Sequence, residues 1–263
     1  LYDLMLNSAK YREFCRPDLV LHLGGRITSK RLQDHIATVR PDTYVHINES
    51  SQKLDPGHCV TWQLRGSLQY LTDSQFEKMS IAPNGEWIAT HERANSLAAA
   101  AVSEALANEQ SLTELVVPQL VFDALKMDES VFLGNSMPIR YADQICTSTA
   151  ADTHVLANRG TSGIDGTIAT ACGLSRNYED RVHAIIGDLA ALHDLNSLSL
   201  LKSEGVRVTL IILNNNGGGI FHFLPIAEHT DVFEKYFGTP HGLHFEDAAR
   251  MFGLPYARPT TKN

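Results

Sequence analysis

HAIIGDLAALHDLNSLSLLKSEGVRVTLIILNNNGGG, residues 183–219, holds two short apolar runs with one helical stretch between them. HAIIG and VTLIIL carry no polar alternation, which is the pattern of strands buried on both faces. Each run ends abruptly in a polar loop, Gly187-Asp188 and Asn214-Asn215-Asn216. The intervening LAALHDLNSLSLLKSEG predicts one helix ending at Gly205. Strand, loop, helix and strand in that order make a βαβ unit with parallel strands. The same order runs upstream through SVFLGNS (130–136) and HVLANRG (154–160). Together these units predict an α/β domain built on a doubly wound parallel sheet, whose ligands sit outside the carboxyl ends of the strands. The loops Gly134-Asn135-Ser136, Asn158-Arg159-Gly160, Gly187-Asp188 and Asn214-Asn215-Asn216 are therefore expected to meet at one rim.

Toward the start of the chain the alternation repeats. DLVLHLGG (18–25) reads as a buried strand closing on Gly24-Gly25, and ITSKRLQDHIATV (27–39) as a helix opening at a Thr/Ser cap. TYVHINE (43–49) and HCVTWQLRG (58–66) read as further strands. This is a second parallel α/β unit. Pro83-Asn84-Gly85 is the strongest breaker after it. An Ala-rich helix is expected from Trp87 to Asn108. Ser111-Leu112-Thr113-Glu114 has the form of a capping box opening another helix, with Pro118 in its middle or its first turn. A domain boundary is placed within 70–90, dividing 1–80 from 81–263. Both ends read as cut. Leu1 falls inside a helical pattern, and ARPTTKN follows an amphipathic helix with no closing strand, so a longer polypeptide is expected.

Composition narrows the function. A chain of 263 residues, 43% hydrophobic and 20% charged, is ordinary for a globular protein and long enough to bury a core. A net charge of −8 argues against a general nucleic-acid binder, which needs basic surface against phosphates. Cys15, Cys59, Cys146 and Cys172 form no CxxC pair, so neither a zinc knuckle nor a disulfide framework is expected, and a reducing, cytoplasmic setting fits. Apolar runs such as Val208 to Leu213 are far too short to cross a bilayer, and no signal peptide is expected.

Two of the predicted loops offer a metal site. Asp188 and Asn215 follow neighbouring strands and present a carboxylate and a carboxamide oxygen. Such hard donors suit Mg²⁺, which prefers octahedral oxygen and shares its shell with phosphate. Gly217-Gly218-Gly219 lets the backbone approach closely and present its own amides and carbonyls. The helix start after Asp188 supplies free N–H groups for a diphosphate. The plainer alternative is that Asp188 merely caps its helix and the Asn run is a turn. Either feature alone favours that alternative; their joint placement at two strand ends favours the metal site. Of the histidines, His241 and His244 have no obvious acidic partner and read as structural or surface residues, and neither His193 nor His222 is assigned catalysis.

The same residues carry a resemblance. Gly187-Asp188-Leu189 followed by the Asn run is similar to the cofactor motif of thiamine-diphosphate (ThDP) decarboxylases and synthases, with Leu189 standing where that motif usually has Gly. GNSMPIR (134–140), ANRGTSGIDG (157–166), IIGDLAALHDLNSL (185–198) and NNNGGGIFHFLPI (214–226) resemble, more narrowly, the MenD family. These are the 2-succinyl-5-enolpyruvyl-6-hydroxy-3-cyclohexene-1-carboxylate synthases of menaquinone biosynthesis, in which Leu at that position is usual. The resemblance implies that 1–80 is part of a Rossmann-like central domain and 81–263 the diphosphate-binding domain without its last strand. It implies an enzyme, a carboligase, that decarboxylates 2-oxoglutarate and adds the resulting succinyl semialdehyde carbanion to isochorismate in 1,4 fashion. Its cofactors would be thiamine diphosphate and Mg²⁺ (or Mn²⁺), and its assembly a homodimer or homotetramer.

Residue roles follow from the same matching. Asp188, Asn215 and the Gly217 carbonyl would hold the metal, and Gly187, Leu189, Ala190 and Gly218 would join them around the cofactor. Ile164, in TSGIDG, would be the apolar wedge beneath it, a task suited to a stiff β-branched side chain. Lys30, Arg31, Asn135, Ser136, Arg140 and Arg159 would line the substrate pocket, and Ile220, Phe221 and Leu224 would wall it against water. Ile164, Arg159, Arg140 and Ser136 are expected to bear most directly on catalysis. Both substrates carry two carboxylates, which arginine forks match bidentately. The pyrimidine-binding domain that supplies the family's activating Glu has no counterpart in this sequence, so residues 1–263 alone are expected to be inactive. Rival readings are an acetolactate-synthase-like enzyme, a non-catalytic relative, and a nicotinamide-binding domain suggested by LGGR (23–26). The last lacks GxGxxG.

Overall fold

The computed structural model describes residues 1–68, 84–146 and 153–262, which divide into two compact units, Leu1–Glu104 and Ala105–Asn263. The boundary expected between 80 and 81 lies outside the described residues.

The first unit is built on three parallel strands in the order β1-β2-β3, namely β1 (Leu19–Leu23), β2 (Thr43–Asn48) and β3 (Trp62–Arg65). The first crossover is the helix Lys30–Val39. Ser29 caps it by accepting the Leu32 N–H at 3.0 Å, and Arg40 ends it in the left-handed conformation at φ 50°. Of the Thr/Ser pair expected to open the helix, Ser29 makes the cap, so the helix itself begins at Lys30. A separate cluster gathers Met5, Leu6, Tyr11 and Cys15 against Leu32, Trp87, Ala94 and Ala98. The last three belong to the helix Gly85–Asn108, whose first turn is held by Asn84 accepting the Trp87 N–H at 3.1 Å.

The second unit contains the doubly wound sheet. Its strands β4 (Glu129–Leu133), β5 (Val155–Ala157), β6 (Arg181–Gly187) and β7 (Val208–Leu213) lie in the order β5-β4-β6-β7, all parallel. The chain leaves β4 for β5 on one side and then crosses to β6 on the other. The order therefore reverses between β4 and β6, and a doubly wound sheet opens its ligand crevice at such a reversal. Both faces are covered, which explains the unbroken apolar runs. Val182, Ala184 and Ile186 of β6 share one cluster with Phe132, Ile168, Ala171 and Leu198. Ile185 points the other way, into a cluster with Val131, Leu133, Phe122 and Ala142. Each fully buried side chain of this size contributes roughly 1.5–3 kcal/mol.

Two expectations are corrected. The stretch after β6 is not one helix: an α-helix Asp188–His193 gives way to a 3₁₀ helix Leu195–Lys202. The break falls at Asp194, whose side chain is used elsewhere. Its Oδ2 accepts the N–H groups of Ile168 at 2.6 Å and Ala169 at 3.0 Å, capping the helix Thr167–Tyr178 from outside. The capping box at Ser111–Glu114 is also absent. The Ser111 N–H is taken by Glu109, and Ser111 bridges Thr261. Thr113 Oγ1 instead accepts the Val116 N–H at 3.3 Å at the start of the helix Val116–Ala124. Pro118 lies in its first turn, where a missing N–H costs nothing.

Candidate functional site

At the ends of β6 and β7 the chain brings an acid and an amide to one point. The Asp188 side chain is 3% exposed. Its Oδ1 accepts the Leu189 N–H at 2.7 Å, and its Oδ2 accepts the Gly217 N–H at 2.9 Å. Asn215 Oδ1 accepts that same Gly217 N–H at 3.2 Å. Two oxygens donated by neighbouring strands thus converge on a single polar hydrogen. A carboxylate and a carboxamide supply hard oxygen donors, the type a small divalent cation prefers. Gly217 can only be glycine: its φ is 147°, and an added Cβ would overlap the Gly238 carbonyl. At Gly218 a Cβ would overlap the Phe237 carbonyl in the same way. Gly187 faces open space, with no atom within 4 Å of the position a Cβ would take. Ala190 packs its methyl into the core, so only its backbone is available to a ligand.

Over this loop lies the segment 238–243. Gly218 N–H donates to Gly238 O at 2.7 Å, Gly242 N–H to Asn216 Oδ1 at 2.7 Å, and Asn214 Nδ2 to Leu243 O at 3.1 Å. The same segment sets His241 Nε2 3.1 Å from Asp188 Oδ2. His241 was expected to lack an acidic partner, and this contact corrects that reading. Nothing local in the sequence signals it, because the partners are 53 residues apart.

A second network joins the loops after β4 and β5. Asn135 is 4% exposed. Its Nδ2 donates to Gly163 O at 2.7 Å, and its Oδ1 accepts from Arg159 Nη1 at 3.2 Å. Asn135 therefore ties a rim arginine to the turn that carries Ile164, which packs against the core beside the helix Thr167–Tyr178. Ser136 sits at φ 75°, an unusual conformation for a residue with a side chain, and its carbonyl accepts from Arg140 Nη1. Burial draws the Arg140 guanidinium below its ordinary pKa, and among the described residues no carboxylate pairs with it. Ile220 and Phe221 lie in a 3₁₀ helix, Gly219–Phe223, where Phe221 meets Phe237 edge to face at 5.6 Å. Leu224 follows, exposed.

Lys30 and Arg31 belong to the first unit, and both already have carboxylate partners. Lys30 Nζ lies 2.7 Å from Asp34, and Arg31 pairs with the buried Asp3.

A doubly wound parallel sheet, with an acid and an amide converging at adjacent strand ends and glycines pressed behind them, defines a cofactor-binding α/β domain. Residues 1–133 match the family described as the middle domain of thiamine pyrophosphate enzymes, and residues 139–263 match their C-terminal TPP binding domain. The chain belongs to the thiamine pyrophosphate enzymes. The first match runs through β4, which hydrogen bonding places in the second sheet, so by strand pairing the middle domain ends earlier than 133. The chain is similar to 2-succinyl-5-enolpyruvyl-6-hydroxy-3-cyclohexene-1-carboxylate synthases of several bacteria. It is 41% identical to that of Rubrobacter xylanophilus, over 99% of this chain and 45% of the relative. It is 38% identical to that of Salinibacter ruber, over 98% of this chain and 43% of the relative. Against that of Roseiflexus sp. it is 38% identical, over 93% of this chain and 42% of the relative. The chain thus spans less than half the length of these relatives.

Proposed function

We propose that the protein to which this chain belongs decarboxylates 2-oxoglutarate and joins the remaining succinyl semialdehyde unit to isochorismate, in menaquinone biosynthesis. The observation that carries this reading is the convergence of Asp188 and Asn215 on the Gly217 N–H, in a chain similar to synthases of that name. Asp188, Asn215 and the Gly217 carbonyl would hold Mg²⁺ or Mn²⁺, Gly187 would leave room for the diphosphate, and Gly218 would let the loop pack close against the Phe237 carbonyl beside it. Thiamine diphosphate, when bound, supplies the electron sink for loss of CO₂. Ile164 would support the cofactor from its apolar side, held at its height by the Asn135 bond to Gly163. Arg140, half-buried and without a carboxylate of its own, suits an acidic substrate, and Ser136 and Arg159 flank it. Each charge-assisted bond of this kind contributes roughly 1.5–3 kcal/mol. Ile220, Phe221 and Leu224 would exclude water from the reacting carbon. Lys30 and Arg31 enter this reading only if substrate carboxylates displace Asp34 and Asp3. A homodimer or homotetramer completes the proposal.

An acetolactate-synthase-like enzyme acts on small 2-oxo acids with a single carboxylate, which call for fewer cationic side chains than the two dicarboxylates. Release of CO₂ from 2-oxoglutarate by the full-length protein, with and without isochorismate, tests the choice. Isochorismate-dependent turnover is expected. Turnover of pyruvate with neglect of 2-oxoglutarate would overturn the reading.

A further inference from the structure

We propose that His241 is a positioning residue of the cation site, fixing the Asp188 carboxylate by donating a hydrogen bond to its outer oxygen. The inference rests on the preceding reading of Asp188 as a cation ligand. The imidazole orientation follows from its bonds. The Leu243 N–H donates to His241 Nδ1 at 2.9 Å, and a backbone N–H can only donate, so Nδ1 is the acceptor. The ring proton is then on Nε2, and it is directed at Asp188 Oδ2, 3.1 Å away.

The two carboxylate oxygens are consequently unequal. Oδ2 takes two donors, the His241 Nε2–H and the Gly217 N–H at 2.9 Å. Oδ1 takes only the Leu189 N–H, at 2.7 Å. A carboxylate has about four acceptor sites, two on each oxygen. Oδ2 is filled, and Oδ1 keeps one site for a cation. Ligand carboxylates are generally oriented by outer donors in this manner, and loss of such a donor costs roughly 10–100-fold in metal affinity. Burial strengthens the case: the His241 side chain is 10% exposed and that of Asp188 3%, so water competes little for the bond. The histidine is itself braced, because segment 238–243 is bonded to the Asn loop through Gly218, Asn216 and Asn214.

The test titrates Mg²⁺ into the full-length protein at fixed thiamine diphosphate, followed by calorimetry, for wild type, His241→Ala, His241→Phe, His241→Gln and Asp188→Ala. His241→Phe keeps a ring without a donor, and His241→Gln keeps a donor at similar reach. Weakening by about 10–100-fold is expected for His241→Ala and His241→Phe, with most of the loss recovered in His241→Gln. Wild-type cation affinity in His241→Phe would overturn the proposal, and so would a His241→Gln protein as weak as His241→Phe. If His241→Ala fails to fold, the Phe and Gln variants still decide. Asp188→Ala separates the two claims. Its retention of affinity defeats the site reading itself, whereas its loss beside an unaffected His241→Phe defeats only the role of the histidine.

Discussion

The Asn135 amide has both polar groups engaged, one on the Gly163 carbonyl and one on Arg159, and the side chain is buried. It therefore serves the site by holding other parts in place, and an incoming substrate would have to displace one of these bonds. Asn135→Ala should cost about 0.5–1.5 kcal/mol of stability, since the half-buried Gly163 carbonyl loses its donor. Urea unfolding of the variant measures this; an unchanged midpoint and slope would show that neither bond is made in solution. At this scale legibility was uneven. Asp188, Asn215 and Gly217, which the structure brings together, stand out in the sequence because each lies at the end of an apolar run or inside a glycine run. His241 does not, since it meets Asp188 only through the path of the short helices and loops after β7. The bonds of Asn135 were equally hidden, because they join loops from different strands.

Among the elements, the strands were the most readable part, since burial on both faces leaves continuous apolar runs. The helix after β6 was misread for a physical reason: Asp194 looks like one more helical residue, yet its carboxylate is committed to the helix Thr167–Tyr178. Strand ends also carry a pH dependence. His22 at the end of β1 donates from Nε2 to Gly25 O at 2.7 Å and stacks on His46 with centroids 4.2 Å apart, while His46 bonds Gly24 O at 2.9 Å. Burial pulls the His22 imidazole below its usual range, the Gly25 bond opposes this, and His46 adds to it. The folded state then binds fewer protons than the unfolded one. Stability is present above the unfolded pKa of about 6.5 and is lost as pH falls from there through the lower folded value. His22→Gln should flatten the fall in denaturation midpoint between pH of about 7.5 and about 5.5. Identical slopes for variant and wild type would refute this.

On the scale of the whole molecule, charge is the constraint. The chain carries a net charge of −8, and the proposed substrates are dianions, so attraction has to be local. In the proposed reading Arg140 would supply it, whereas Lys30 and Arg31 are already paired within the chain. Alternation of strand and helix in the sequence carries the α/β class, and the compact units divide after Glu104, inside the helix Gly85–Asn108. Among the described residues no helix is long and apolar enough to cross a membrane. The direct test of the site is calorimetric titration of thiamine diphosphate with Mg²⁺ into the full-length protein and its Asp188→Ala variant. Removing a buried charged partner of a dication costs about 3–5 kcal/mol, so affinity should fall at least about 100-fold. Equal affinity in the two proteins would contradict the assignment of the β6 and β7 strand ends as the cofactor site.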